Sequence, residues 1–66
     1  MKNNLRIERA VKNLTQEDLA GKIGVSRQTI NSIEKGRYIP STLLALKIAK
    51  IFEKNVNDIF ELEDDD

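Results

Sequence analysis

The spacing of two helix signals around Gly24 and Ser26 constrains this chain more than any other feature. In "LTQEDLAGKIGVSRQTINSIEKG" a helix stop is followed two residues later by a helix start. Thr15 stands as the N-cap of the earlier helix, with Asp18 where a capping box has its acid and Glu17 beside it near the positive helix end. Leu19, Ala20 and Ile23 supply a buried stripe. Gly24 ends the helix, since a left-handed exit is easiest for glycine. Ser26 then caps a third helix that Gly36 ends, with Val25 and Ile30 spaced as a hydrophobic staple. Only Gly24 and Val25 separate the two helices, so they cannot lie antiparallel and must cross steeply, as in a helix-turn-helix.

Helical periodicity accounts for most of the remainder. Ile7, Ala10, Val11 and Leu14 fall at i, i+3, i+4 and i+7, which predicts a first helix over residues 4–12 with that stripe turned inward. Leu5 lies off the stripe. After "GRYIP", Ser41 caps a fourth helix of about a dozen residues, with Leu44, Ala45, Ile48, Ala49, Ile51 and Phe52 on a broad apolar side. "VNDIF" forms a short fifth. The expected fold is therefore all-α: one compact five-helix domain over residues 1–62, then an acidic tail, residues 63–66. Leu43 and Leu46, on the otherwise polar side of the fourth helix, are either covered by neighbouring helices or form a contact between two copies. With Val56, Ile59, Phe60 and Leu62 they are the candidate homodimer interface, because so short a chain hides little apolar surface.

Composition removes most enzymatic chemistry. There is no Cys and no His among the 66 residues, so disulfides, thiolate sites and the usual imidazole acid-base or zinc chemistry are excluded. No nucleophile and base pairing and no metal set is recognisable, so no catalytic residue, metal or cofactor is assigned. No apolar run approaches the roughly 20 residues of a membrane span, and "MKNNLRIERAVKN" does not resemble a signal peptide. The expected location is the cytoplasm. A net charge of zero hides a polarity: residues 1–54 hold all 11 Lys and Arg against Glu8, Glu17, Asp18, Glu34 and Glu53, while residues 55–66 hold six acids and no base. Such a body can meet a polyanion on one face while the chain stays neutral.

The third helix shows which face. At about 100° per residue, Ile30 and Ile33 point inward while Gln28, Asn31, Ser32 and Lys35 gather within about 100° on the far side, with Arg27 at the edge. Any amphipathic surface helix has a polar side, but a merely solvated one usually carries Glu and Lys in i, i+4 pairs. This one carries no carboxylate. Arg matches the O6 and N7 of guanine, Gln or Asn the N6 and N7 of adenine, and Ser either, all at major-groove edges. Gln16, Thr29, Lys35, Arg37 and Tyr38 flank that face as partners for phosphate.

The run "LTQEDLAGKIGVSRQTINSIEKGRYIPS" resembles the helix-turn-helix of the Xre/Cro-type, phage-repressor-like family, and the likeness continues through "LALKIAKIFEKNVNDIF" to cover about residues 4–60. It is most similar to the short stand-alone repressors that bind operator DNA as symmetric dimers. The resemblance implies base contacts from Arg27, Gln28 and Ser32, with Asn31 at the margin, and backbone contacts from Gln16, Ser26, Thr29, Lys35, Arg37 and Tyr38. It implies that Gln16 buttresses Gln28, and that Arg9 and Glu34 form a structural ion pair. Glu8 and Thr42 depart from the Leu or Ile common in relatives, and family precedent would turn Leu5 inward.

The expected function is a sequence-specific, DNA-binding repressor acting as a homodimer on a pseudo-palindromic operator, through recognition helix 27–35. An antitoxin of the same fold, with a toxin as protein partner, is the closest alternative, and an anti-repressor is a further conceivable partner. A purely protein-interaction module would show an eroded polar face, whereas this face is intact. The acidic tail is a solubilising end, a guard keeping the dimer face off phosphate, or a segment folded back over the basic helix.

Overall fold

Local cap chemistry builds the two central helices. In the computed structural model, which describes all 66 residues, α2 (Gln16–Ile23) starts with a reciprocal capping box. The Asp18 N–H donates to Thr15 Oγ1 at 2.9 Å and the Thr15 N–H to Asp18 Oδ2 at 3.0 Å. Gly24 leaves the helix in the left-handed region (φ 74°), and the Val25 N–H returns to the Ala20 carbonyl at 3.0 Å. The Ser26 hydroxyl then accepts the Thr29 N–H at 3.2 Å and opens α3 (Arg27–Glu34). Gly36, again left-handed at φ 72°, turns the chain away.

Around this pair lie α1 (Leu5–Val11), α4 (Thr42–Phe52) and α5 (Val56–Ile59). Ser41 caps α4 by accepting the Leu44 N–H at 3.2 Å. The core takes Leu19, Ala20 and Ile23 from α2, Ile30 and Ile33 from α3, and Leu44, Ile48, Ala49 and Phe52 from α4, closed by Leu5, Ile59 and Phe60. No helix is long and apolar enough to cross a membrane. The five helices stand as expected, with one addition. Lys2–Asn3 (β1) and Phe60–Glu61 (β2) form a two-stranded antiparallel ladder, Lys2 opposite Glu61 and Asn3 opposite Phe60. Phe60 thus belongs to an extended segment (φ −114°, ψ 140°) and not to the fifth helix.

The periodicity of the first helix misleads. Ile7 and Val11 are 63% and 75% exposed, Ala10 is exposed, and of the expected stripe only Leu14 packs against the core. Leu5 and Glu8 are buried in their place. Two sets of hydrogen bonds fix this roll. At the helix start, Asn3 Oδ1 accepts the Leu5 N–H at 3.1 Å, Asn3 Nδ2 donates to the Ile33 carbonyl at 2.9 Å, and the Asn4 N–H donates to the Ile59 carbonyl at 3.0 Å. On the buried side, Lys54 Nζ donates to Glu8 Oε2 at 2.7 Å, so the carboxylate enters the interior with its own cation.

The C-terminal apolar residues divide into two sets. Ile59 and Phe60, expected at a contact between copies, are buried in the protomer's own core, because the β ladder folds them over it. Val56 packs partly against that core. Leu43, Leu46 and Leu62 are exposed.

Candidate nucleic-acid interface

α3 carries two adjacent polar stripes, and its docking on α2 sets their roles. Arg27, Asn31 and Glu34, at i, i+4 and i+7, share the side that faces the start of α2. Gln28, Ser32 and Lys35 lie one step around the helix. Lys35, Arg37 and Tyr38 are exposed at its end, where the Arg37 and Tyr38 N–H groups both donate to the Ser32 carbonyl, at 2.9 and 3.3 Å. Gln28, Thr29, Ser32 and Tyr38 line a shallow hollow of about 220 Å³. The hydroxyls of Ser26 and Thr29 lie 3.0 Å apart at the helix start.

The first stripe is organised around Glu34. Its side chain is 3% exposed and receives Arg9 in a two-pronged contact, Nε to Oε2 at 2.5 Å and Nη2 to Oε1 at 3.0 Å. Arg9 also donates Nη1 to the Leu14 carbonyl at 2.9 Å, joining α1, the α2 approach and α3. Burial pushes the Glu34 carboxyl up. Hydrogen bonds from Arg9 and Gln16, with the positive charges of Arg9 and Arg6, outweigh burial and hold it below the usual carboxylate range. The Arg9 guanidinium is raised, chiefly by its hydrogen bond with Glu34. The only carboxylate of α3 is thereby turned inward and neutralised.

Gln16 joins the first stripe alone, which differs from expectation. Its Nε2 donates to Glu34 Oε1 at 3.1 Å and to Asn31 Oδ1 at 3.2 Å, and its Oε1 accepts Arg27 Nη1 at 3.4 Å. Gln28 is not its partner, because Gln28 sits on the neighbouring stripe and lines the hollow that Tyr38 also lines. Arg6, absent from the expected site, also approaches this cluster, its Nε 3.9 Å from Glu34 Oε1. Its spacing three residues before Arg9 is the signal that could have found it. The acidic tail makes no ion pair with α3; Glu63 and Asp66 lie 3.0 and 2.7 Å from the Met1 ammonium.

An acid-free outer face on the second helix of a helix-turn-helix, flanked by exposed bases, defines a DNA-binding transcription regulator. The Helix-turn-helix family matches residues 5–59, and the chain belongs to that family, in its Xre-type branch. An uncharacterised HTH-type transcriptional regulator of Methanocaldococcus jannaschii is 64% identical over 66 residues, all of both chains. Among solved structures, the SOS-response transcriptional repressor LexA from Eubacterium rectale is similar with a TM-score of 0.81 and 36% identity, over 92% of this chain and 65% of that one. The restriction-modification controller protein C.AhdI from Aeromonas hydrophila matches with a TM-score of 0.76 and 32% identity, over 85% of each chain. The antitoxin alternative finds no support among these proteins.

Proposed function

We propose that the protein is a sequence-specific repressor that seats the helix 27–35 in the major groove and binds a pseudo-palindromic operator as a homodimer. The observation that carries this reading is the inward capture of Glu34 by Arg9, which leaves an outer face of Arg27, Gln28, Asn31 and Ser32 without a negative charge. Under this reading those four residues meet base edges, while Gln16, Ser26, Thr29, Lys35, Arg37 and Tyr38 hold phosphates and set the register.

The exposed Leu43, Leu46 and Leu62 support a dimer, as does a shallow apolar hollow of about 300 Å³ whose lining includes Ile39, Pro40, Leu46, Val56 and Phe60. The protomer measures 31 × 22 × 20 Å, and under this reading a two-fold pair holds its recognition helices one DNA turn apart. That distance is about 34 Å. Repression would then be steric, the dimer covering promoter DNA. Selection from a random DNA pool tests the whole reading: an enriched palindrome with half-sites one turn apart is expected. A pool that stays random removes sequence reading, and a monomer at micromolar concentration in sedimentation removes the dimer.

A further inference from the structure

The contacts of Gln16 bear on what Asn31 can present to a base. A side-chain amide has a donor end and an acceptor end, and which way it points follows from its partners. Gln16 has no freedom in this respect. One end meets the Glu34 carboxylate, which only accepts, and the other meets the Arg27 guanidinium, which only donates. Nε2 must therefore face Glu34 and Oε1 must face Arg27. The second proton of Nε2 goes to Asn31 at 3.2 Å, so the acceptor Oδ1 of Asn31 is turned back into the protein. Its amino group, Nδ2, has no partner within the protomer.

We propose, on the reading that this helix enters the major groove, that Asn31 is a specificity residue locked as a donor by the Glu34–Gln16 relay, and that it selects guanine. A free asparagine amide fits adenine, accepting from N6 and donating to N7. With Oδ1 turned back towards Gln16 and away from the outer face, that pairing loses its accepting half. Two N–H donors remain, and guanine alone offers two major-groove acceptors, O6 and N7. Cytosine presents a donor there and is rejected, while thymine offers one acceptor beside a methyl group. Gln16 acts through Asn31 and is a positioning residue here, besides any phosphate contact it makes.

The test begins with the sequence that the wild-type protein selects. One position per half-site is expected to be guanine and to lose its preference in Asn31→Ala. Replacing that guanine by 7-deazaguanine, which lacks the N7 acceptor, is expected to weaken wild-type binding about 5-fold and to leave Asn31→Ala unaffected, an effect of roughly one hydrogen bond. Gln16→Met removes the lock while keeping the bulk. Asn31 can then turn, and the ratio of guanine to adenine affinity at that position should fall about 10-fold, whereas loss of a phosphate contact lowers both alike. Adenine at the Asn31-dependent position in the wild type, or an unchanged ratio in Gln16→Met, overturns the proposal. A wild type that selects a sequence in which no position depends on Asn31 overturns it alone. A wild type that selects nothing overturns the reading of sequence-specific DNA binding as well.

Discussion

Arg9→Ala isolates the ion pair that joins the first helix to α3. The Arg9 side chain is 14% exposed and the Glu34 side chain 3%, and truncation deletes both prongs of their contact together with the hydrogen bond to Leu14. Glu34 keeps Gln16 at 3.1 Å and Arg6 at 3.9 Å, the latter 76% exposed. Removing one partner of a buried pair costs about 3–5 kcal/mol, and the surviving contacts place the expected loss near 3 kcal/mol. Arg6→Ala removes only an exposed, long contact, worth less than about 0.5 kcal/mol. A domain of this length has on the order of 3–10 kcal/mol in total, so the two variants are easily told apart. Urea unfolding at one fixed protein concentration measures both, the concentration being held because the proposed dimerisation would shift apparent stability. DNA affinity, corrected for the folded fraction, should change much less than stability in Arg9→Ala. A variant as stable as wild type that no longer binds DNA would refute the structural role and move Arg9 into the interface.

The roll of α1 makes Leu5→Ala costly, by about 2–5 kcal/mol, while Ile7→Ser and Val11→Ser stay within about 0.5 kcal/mol; the reverse order in thermal unfolding would restore the periodicity reading. Glu8→Leu replaces a buried ion pair by an apolar side chain and should leave stability equal or higher, whereas Lys54→Ala strands the Glu8 carboxylate and should lower it by about 1–3 kcal/mol in the same measurement. Glu34 titrates below its unfolded value of about 4.3, so its stabilisation is present above that pH and lost as pH falls through the folded value; acid unfolding should therefore be shallower in Glu34→Gln. In DNA binding, Gln28→Ala should lower discrimination at one base position by about 1–3 kcal/mol and Lys35→Ala should weaken cognate and random DNA alike; equal losses on both DNAs for Gln28→Ala would remove its base-reading role.

What was legible in the sequence was local. Thr15, Asp18, Gly24, Ser26 and Gly36 act within about one helical turn of themselves, so the order of signals along the chain already states where α2 and α3 begin and end. The roll of α1 is not local. Glu8 is held by Lys54, 46 residues away, and the Asn3 side chain by the Ile33 carbonyl, 30 residues away. No window along the chain contains both partners. A period count necessarily treats Glu8 as solvent-facing and Ile7 as buried, the inverse of what the long-range contacts enforce. The β ladder escapes for a different reason: each strand is two residues long, a single alternation of faces and too short to show a period. The burial of Ile59 and Phe60, and hence their loss to any contact between copies, follows from that ladder.

The candidate interface combines both kinds of information. Composition alone makes α3 a polar helix containing one acid, and an acid facing DNA would oppose phosphate. The helical wheel already sets Glu34 off that face; what holds it inward is Arg9, whose position depends on the roll set by Asn3, Asn4, Leu5 and Glu8. The inverted burial of α1 is thus tied to the interface: the turn that buries Leu5 and Glu8 also brings Arg9 onto Glu34. Gln16 then meets that carboxylate at one end and Arg27 at the other, and the two together orient its amide. If this chain of dependence holds, Glu8→Leu should leave DNA preference unchanged because it preserves the roll. A variant that keeps full stability but changes preference at the Asn31 position would show that the roll and the interface are set separately.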